Sequence, residues 1–299
     1  MEKHKIIVAY DFQELSDAAL RYSYELAKFV SSGITIVLVI SEDLVALSGD
    51  PSKKITDSLR NDLAIRLKEV CEKASVEAGV DVNYCIETGK IYEPILKIAK
   101  ENRARFIIMG RTSKQTKDGN LGSTTMRVVE RAACPVITLP SVDCKFALNN
   151  IALPIDLTKQ TREKVFNAIS LGLFFDTKIH LVSVVMGGIS ERKSRIYQKM
   201  QTMIKTIEEN GVQCTEKLFK KSHLAIHEVI LEYANDIKAD ALMIMTHREI
   251  NSADTYIGAV ANHIIKESNI PVISLTSAAA MHKTSEKSSY WFSKLFGGK

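Results

Sequence analysis

Between residues 5 and 139, short and nearly continuous apolar runs alternate with longer stretches whose apolar positions recur every three or four residues. Lys5–Tyr10 is short and rich in β-branched residues, and predicts a strand. Ser16–Val30 places Ala19, Leu20, Tyr22, Leu26, Ala27 and Val30 at helical spacing. Gly33 punctuates, and Ile34–Ile40 predicts a second strand. Thr56–Ala78 is a long helix stopped by Gly79, since glycine readily takes the left-handed conformation that closes a helix. Val80–Glu87 is a third strand. Ile91–Asn102 is a helix that tolerates Pro94 in its first turn. Phe106–Met109, Gly122–Arg131 and Val136–Leu139 complete the series as strand, helix and strand.

The pattern then repeats. Ile6-Ile7-Val8-Ala9-Tyr10-Asp11-Phe12 is answered 145 positions later by Ile151-Ala152-Leu153-Pro154-Ile155-Asp156-Leu157. Ala104–Met109 and Cys134–Ile137 reappear at Ala239–Ile244 and Ile270–Ile273, now shifted by 135 and 136 positions. The second copy has therefore lost about ten residues in its middle, and repetition on this scale predicts two tandem domains. Strands that alternate with helices and are apolar on both faces belong to a parallel sheet covered on both sides.

Composition narrows the class. With 45% apolar and 25% charged residues over 299 positions, the chain has enough apolar content for two packed cores. Its apolar runs are too short for a bilayer-spanning helix, and the five apolar residues before Asp11 are too few for the core expected of a secretory leader. Of the net charge of +5, +3 falls in residues 278–299, and the remaining body lacks the dense basic stripe that nucleic acid binding would need. Cys71, Cys85, Cys134, Cys144 and Cys214 are odd in number and scattered, with no C-x-x-C, which fits a reducing cytoplasm and packed thiols.

In a doubly wound sheet, ligands sit beyond the carboxyl ends of the strands where the strand order reverses. Asp11 follows the first strand, and Gly110-Arg111-Thr112-Ser113 follows the fourth. Leu121-Gly122-Ser123-Thr124 then opens a helix. Glycines admit an anion close to backbone N–H groups, and a helix start adds hydroxyls and a positive dipole end. Arg111, Lys114 and Lys117 against Asp118 favour an anion further. The same glycine and serine also serve as an ordinary strand-end turn and helix cap, so the pattern by itself leaves a ligand-free loop open.

Val8-Ala9-Tyr10-Asp11-Phe12, Met109-Gly110-Arg111, Gly122-Ser123 and Ala133-Cys134-Pro135-Val136 together resemble the universal stress protein family, in its tandem two-domain form. The resemblance implies two Rossmann-like (adenine nucleotide alpha hydrolase-like) α/β domains, each a five-stranded parallel sheet with helices on both faces. They would span residues 1–143 and 149–277, with a lysine-containing aromatic tail at 278–299. It implies non-catalytic binding of ATP or a related adenine nucleotide by the first domain, in stress response or regulation. Asp11, Val39, Gly110, Arg111, Ser113, Gly122, Ser123 and Thr124 would then form the site. It further implies that the two domains pair through their fifth strands as an internal pseudo-dimer, with a homodimer also open. Ser113 departs from the family pattern by standing where a second glycine is expected.

The second copy keeps Asp156 and Val184, but Met245 replaces Gly110 and Ala259 follows Gly258 in place of a hydroxyl residue. A scaffold half is expected there. The competing reading is a nucleotide-free interaction protein. Its recognition element would be the tail, where Trp291, Phe292, Leu295 and Phe296 share a helical face. That face fits the protein's own surface, a partner groove or an anionic membrane. No P-loop motif occurs, and Asp118 is the one carboxylate in the first loop, so a catalytic role is not expected, with slow ATP hydrolysis left as a third reading. His223 and His227 stand four apart with no third ligand evident in sequence and read as surface or capping histidines, while His247 and His263 are lone histidines to which no role is given. No metal site is expected.

Overall fold

A computed structural model describes residues 4–42, 53–111, 123–155, 162–185, 195–220, 224–248, 255–256 and 258–276. The chain divides into two compact units, residues 1–146 and 147–299.

The first unit runs β1 (Lys5–Tyr10), α1 (Glu14–Phe29), β2 (Gly33–Ser41), α2 (Lys53–Ala78), β3 (Val82–Gly89), α3 (Tyr92–Glu101), β4 (Phe106–Gly110), α4 (Ser123–Arg131) and β5 (Val136–Leu139). Its strands are ordered β3-β2-β1-β4-β5 and all pair in parallel. Ile6, Ile7 and Val8 are all fully buried, and successive strand residues face opposite sides, so both faces of the sheet are covered. The covering layers are two helix pairs. α1 packs on α2 and α3 on α4, while α1 and α3 both lie against β1. Gly79 ends α2 with φ of 65°, as the sequence anticipates.

The second unit runs β6 (Asn150–Pro154), α5 (Arg162–Phe175), β7 (Lys178–Val185), α6 (Arg195–Glu209), β8 (Cys214–Lys220), α7 (Ile226–Asp236), β9 (Ala241–Arg248), β10 (Thr255–Tyr256), α8 (Ala259–Glu267) and β11 (Val272–Thr276). Five strands reproduce the parallel order as β8-β7-β6-β9-β11. β10 breaks the expected all-parallel pattern. It pairs antiparallel with the end of β9, Thr255 opposite Arg248 and Tyr256 opposite His247.

Two polar devices fix this unit. The Asp240 carboxylate accepts the backbone N–H groups of Asn149 and Asn150, both at 2.8 Å, and so pins the entry of β6. His180, buried on β7, lies 3.1 Å from Asn150 Oδ1 through Nε2 and 2.7 Å from Thr215 Oγ1 through Nδ1. A neutral imidazole satisfies both contacts, donating to the amide oxygen and accepting from the hydroxyl. Burial, and then the Lys178 ammonium, hold the His180 pKa below the ordinary imidazole value. Among the described residues no helix is long and apolar enough to cross a membrane.

Candidate functional site

The strand order of the first unit reverses between β1 and β4, which are neighbours although β1 leads on to β2 and β4 to β5. Pairing across this seam runs only from Ile6↔Phe106 to Val8↔Ile108, whereas β1 stays paired with β2 through Tyr10↔Leu38. The seam therefore opens before the strands end, at the sheet's carboxyl edge.

Asp11 is exposed at that edge, one step past Tyr10. Val39 is half-buried, one step past Leu38 on the neighbouring strand. The turn after β1 is firmly built. Phe12 holds a left-handed φ of 61°, unusual for a side chain of its size. Its ring stands edge-on to Tyr10 at 5.2 Å and beneath the Arg66 guanidinium at 4.1 Å. The Ser16 hydroxyl accepts the N–H groups of Asp11 (3.3 Å) and Gln13 (3.2 Å) and donates to the Gln13 carbonyl at 2.8 Å. Asp11 Oδ1 accepts the Gln13 N–H at 3.1 Å. Tyr10 donates its hydroxyl to Asp17; burial, then this bond, raises the phenol pKa well above its ordinary value.

Gly110 ends β4 for a packing reason that the sequence did not disclose. A Cβ there would lie 2.4 Å from Leu15 Cγ and 2.9 Å from its Cδ2, so the first turn of α1 crosses the strand end only because that side chain is absent. Arg111 is half-buried and anchored by its N–H to the Leu139 carbonyl at 2.8 Å; burial lowers its guanidinium pKa. Ser123 is the first residue of α4, which places a helix start after β4 as expected. Thr124 is half-exposed, whereas Thr125 faces inward with Val128, Val129 and Ala132 and is fully buried. Ser113 and Gly122, like Lys114, Lys117 and Asp118, lie outside the described residues. The structure thus brings Asp11, Val39, Gly110 and Arg111 to one edge.

The same edge of the second unit is built differently. Met245 is buried where Gly110 stands in the first, and β9 continues past it to Arg248 and folds back through β10. Asp156, the Gly187-Gly188 pair and the aromatic tail lie outside the described residues.

One grouping went unseen in the sequence. His227 at the start of α7 meets His263 and Glu267 of α8: the two imidazoles stack at 4.2 Å, and the three potential ligand atoms lie within 4.8 Å of one another. Glu228 is occupied in capping α7, accepting the Ala225 N–H at 2.6 Å, and His223 lies outside the described residues. His263 is therefore not a lone histidine, and His227, for which no third ligand is evident in sequence, has neighbours on another helix. They stand 36 positions apart on different helices, and only the packing of α7 on α8 joins them.

A doubly wound parallel α/β unit of this strand order is a Rossmann-like domain, with its switch point between β1 and β4. Residues 3–140 match the model of the universal stress protein family. Over 143 residues the chain is 27% identical to the universal stress protein YxiE of Bacillus subtilis, covering 45% of this chain and 97% of that protein. A universal stress protein of Methanocaldococcus jannaschii is 28% identical over 138 residues, covering 45% of this chain and 81% of its own. A solved universal stress protein of Archaeoglobus fulgidus superposes with a TM-score of 0.74 at 19% identity, covering 92% of this chain and 99% of that one. A protein of unknown function from Pseudomonas aeruginosa gives 0.64 at 16% identity, covering 93% and 95%. Residues 3–140 are a universal stress protein family domain, and at these identities the two structures show the shared fold across both units.

Proposed function

We propose that the first unit binds ATP or a related adenine nucleotide without turning it over, and that the second unit acts as its scaffold in a stress-response role. The observation that carries this reading is the contrast between the two switch points. In the first unit the edge keeps an exposed Asp11, a half-buried Val39, a strand ending in Gly110 and a helix starting at Ser123. In the second, the equivalent strand carries Met245 and runs on into an antiparallel ladder. Backbone N–H groups at a helix start suit a phosphate, whereas those committed to a ladder do not. Asp11 and Val39 would face the nucleoside, with Gly110, Arg111, Ser113, Gly122, Ser123 and Thr124 toward the phosphates. The deciding experiment is native mass spectrometry of the purified full chain. An adenine nucleotide retained by the wild type and lost from Gly122→Val supports the reading. A protein that arrives empty, with no thermal shift at millimolar ATP, overturns it in favour of a nucleotide-free interaction protein.

A further inference from the structure

We propose that His227, His263 and Glu267 form a binding site for one divalent transition-metal ion of the zinc class, clamping α7 to the last turn of α8. The three groups already converge. His227 Nε2 lies 3.3 Å from Glu267 Oε2, and His263 Nδ1 lies 2.7 Å from Glu267 Oε1. His263 and Glu267 are one helical turn apart on α8, and the packing of α7 on α8 supplies the third donor. Two imidazole nitrogens with one carboxylate form a borderline donor set that zinc, cobalt and nickel accept. Magnesium and calcium prefer oxygen alone, and copper(I) prefers sulfur. Three protein ligands leave a fourth position for water, so this is an open site.

The arrangement also states what capture requires. The rings are stacked with only 15° between their planes, and an imidazole lone pair lies in the plane of its ring. Two parallel rings cannot direct lone pairs at one ion about 2.0–2.1 Å from each nitrogen. One ring must swing. His263, with 47% of its side chain exposed, has the freedom to do so, while His227, at 15%, is the fixed anchor. Until an ion arrives, the Glu267 carboxylate sits between both nitrogens and holds the donors together.

The test uses the full chain, free of any polyhistidine tag and stripped with chelator, titrated calorimetrically with Zn2+ and followed by Co2+ visible absorption. One equivalent of Zn2+ is expected, with cobalt bands of nitrogen–oxygen ligation and no sulfur-to-metal charge transfer. His227→Ala should weaken binding by at least about 100-fold, beyond the roughly 10–100-fold that losing an outer-shell partner costs. Glu267→Gln, nearly isosteric, should do likewise while its melting temperature in chelator stays that of the wild type, which separates ligand loss from misfolding. A wild type that takes up no Zn2+ overturns the proposal. So does an affinity unchanged in both variants, or a cobalt spectrum with thiolate bands, since these place the ion on the cysteines.

Discussion

Gly110→Ala isolates what this glycine does. The added Cβ would stand 2.4 Å from Leu15 Cγ, 2.9 Å from Cδ2 and 3.2 Å from Cβ, well inside carbon–carbon contact. Overpacking of this kind costs about 1–3 kcal/mol. Because Gly110 ends a strand and shows no left-handed φ, the whole cost is steric, and removing the Leu15 side chain should recover it. Leu15→Ala alone exposes a half-buried position and should cost roughly 1 kcal/mol, about half the value of a fully buried leucine. The double variant keeps the 3.2 Å contact with the Cβ of residue 15 but loses the two shorter ones, so it should lie within about 0.5 kcal/mol of Leu15→Ala, a coupling of roughly 1–2 kcal/mol. Since two units need not unfold together, hydrogen–deuterium exchange of β1, β4 and β5 peptides in the intact chain is the suitable assay. Single-variant costs that add to within about 0.5 kcal/mol would refute the reasoning. Nucleotide retention read on the same three proteins adds a second result. If Gly110→Ala loses the ligand and the double variant regains it, the glycine acts through α1 and not through a phosphate.

Two further outcomes are expected. Below about pH 6.5 the unfolded His180 takes up a proton that the buried, lowered-pKa imidazole resists, so second-unit stability should fall with pH down to the folded-state pKa. The slope contributed is at most about 1.4 kcal/mol per pH unit, and exchange protection of β6–β8 peptides measured against pH should lose it in His180→Gln. Burial pushes the Cys134 and Cys214 thiols up to about 12, so both should stay unmodified by a maleimide at pH 8 until denaturant is added. Labelling of either at the rate of an exposed thiol, read by peptide mass spectrometry, would contradict their burial.

Much of the fold could be read from residue order because its signals are local. β1 and β5 fall at Lys5–Tyr10 and Val136–Leu139 as the apolar runs place them, and Gly79 closes α2 at the residue expected. The edge that gathers Asp11, Val39, Gly110 and Arg111 follows from strand order, which the alternation of elements implies. What escaped has a nonlocal cause. The clash that explains Gly110 comes from Leu15, on a helix nearly a hundred positions earlier. The His227–His263–Glu267 group exists only because two helices pack. The β9–β10 ladder lacks a strong signal, because Thr255–Tyr256 is too short for alternation to register. Thr125, not Thr124, turns inward because the helical period set by Val128 and Val129 governs it, which an eye on hydroxyls overlooks.

The fold-back of β9 through Thr255–Tyr256 bears on stoichiometry. An amide already bonded across a hairpin has nothing left to offer an anion, so repeating the architecture need not repeat the receptor. If the first unit binds a nucleotide as proposed, the chain should saturate at one nucleotide, because the second unit commits the end of β9 to its own ladder.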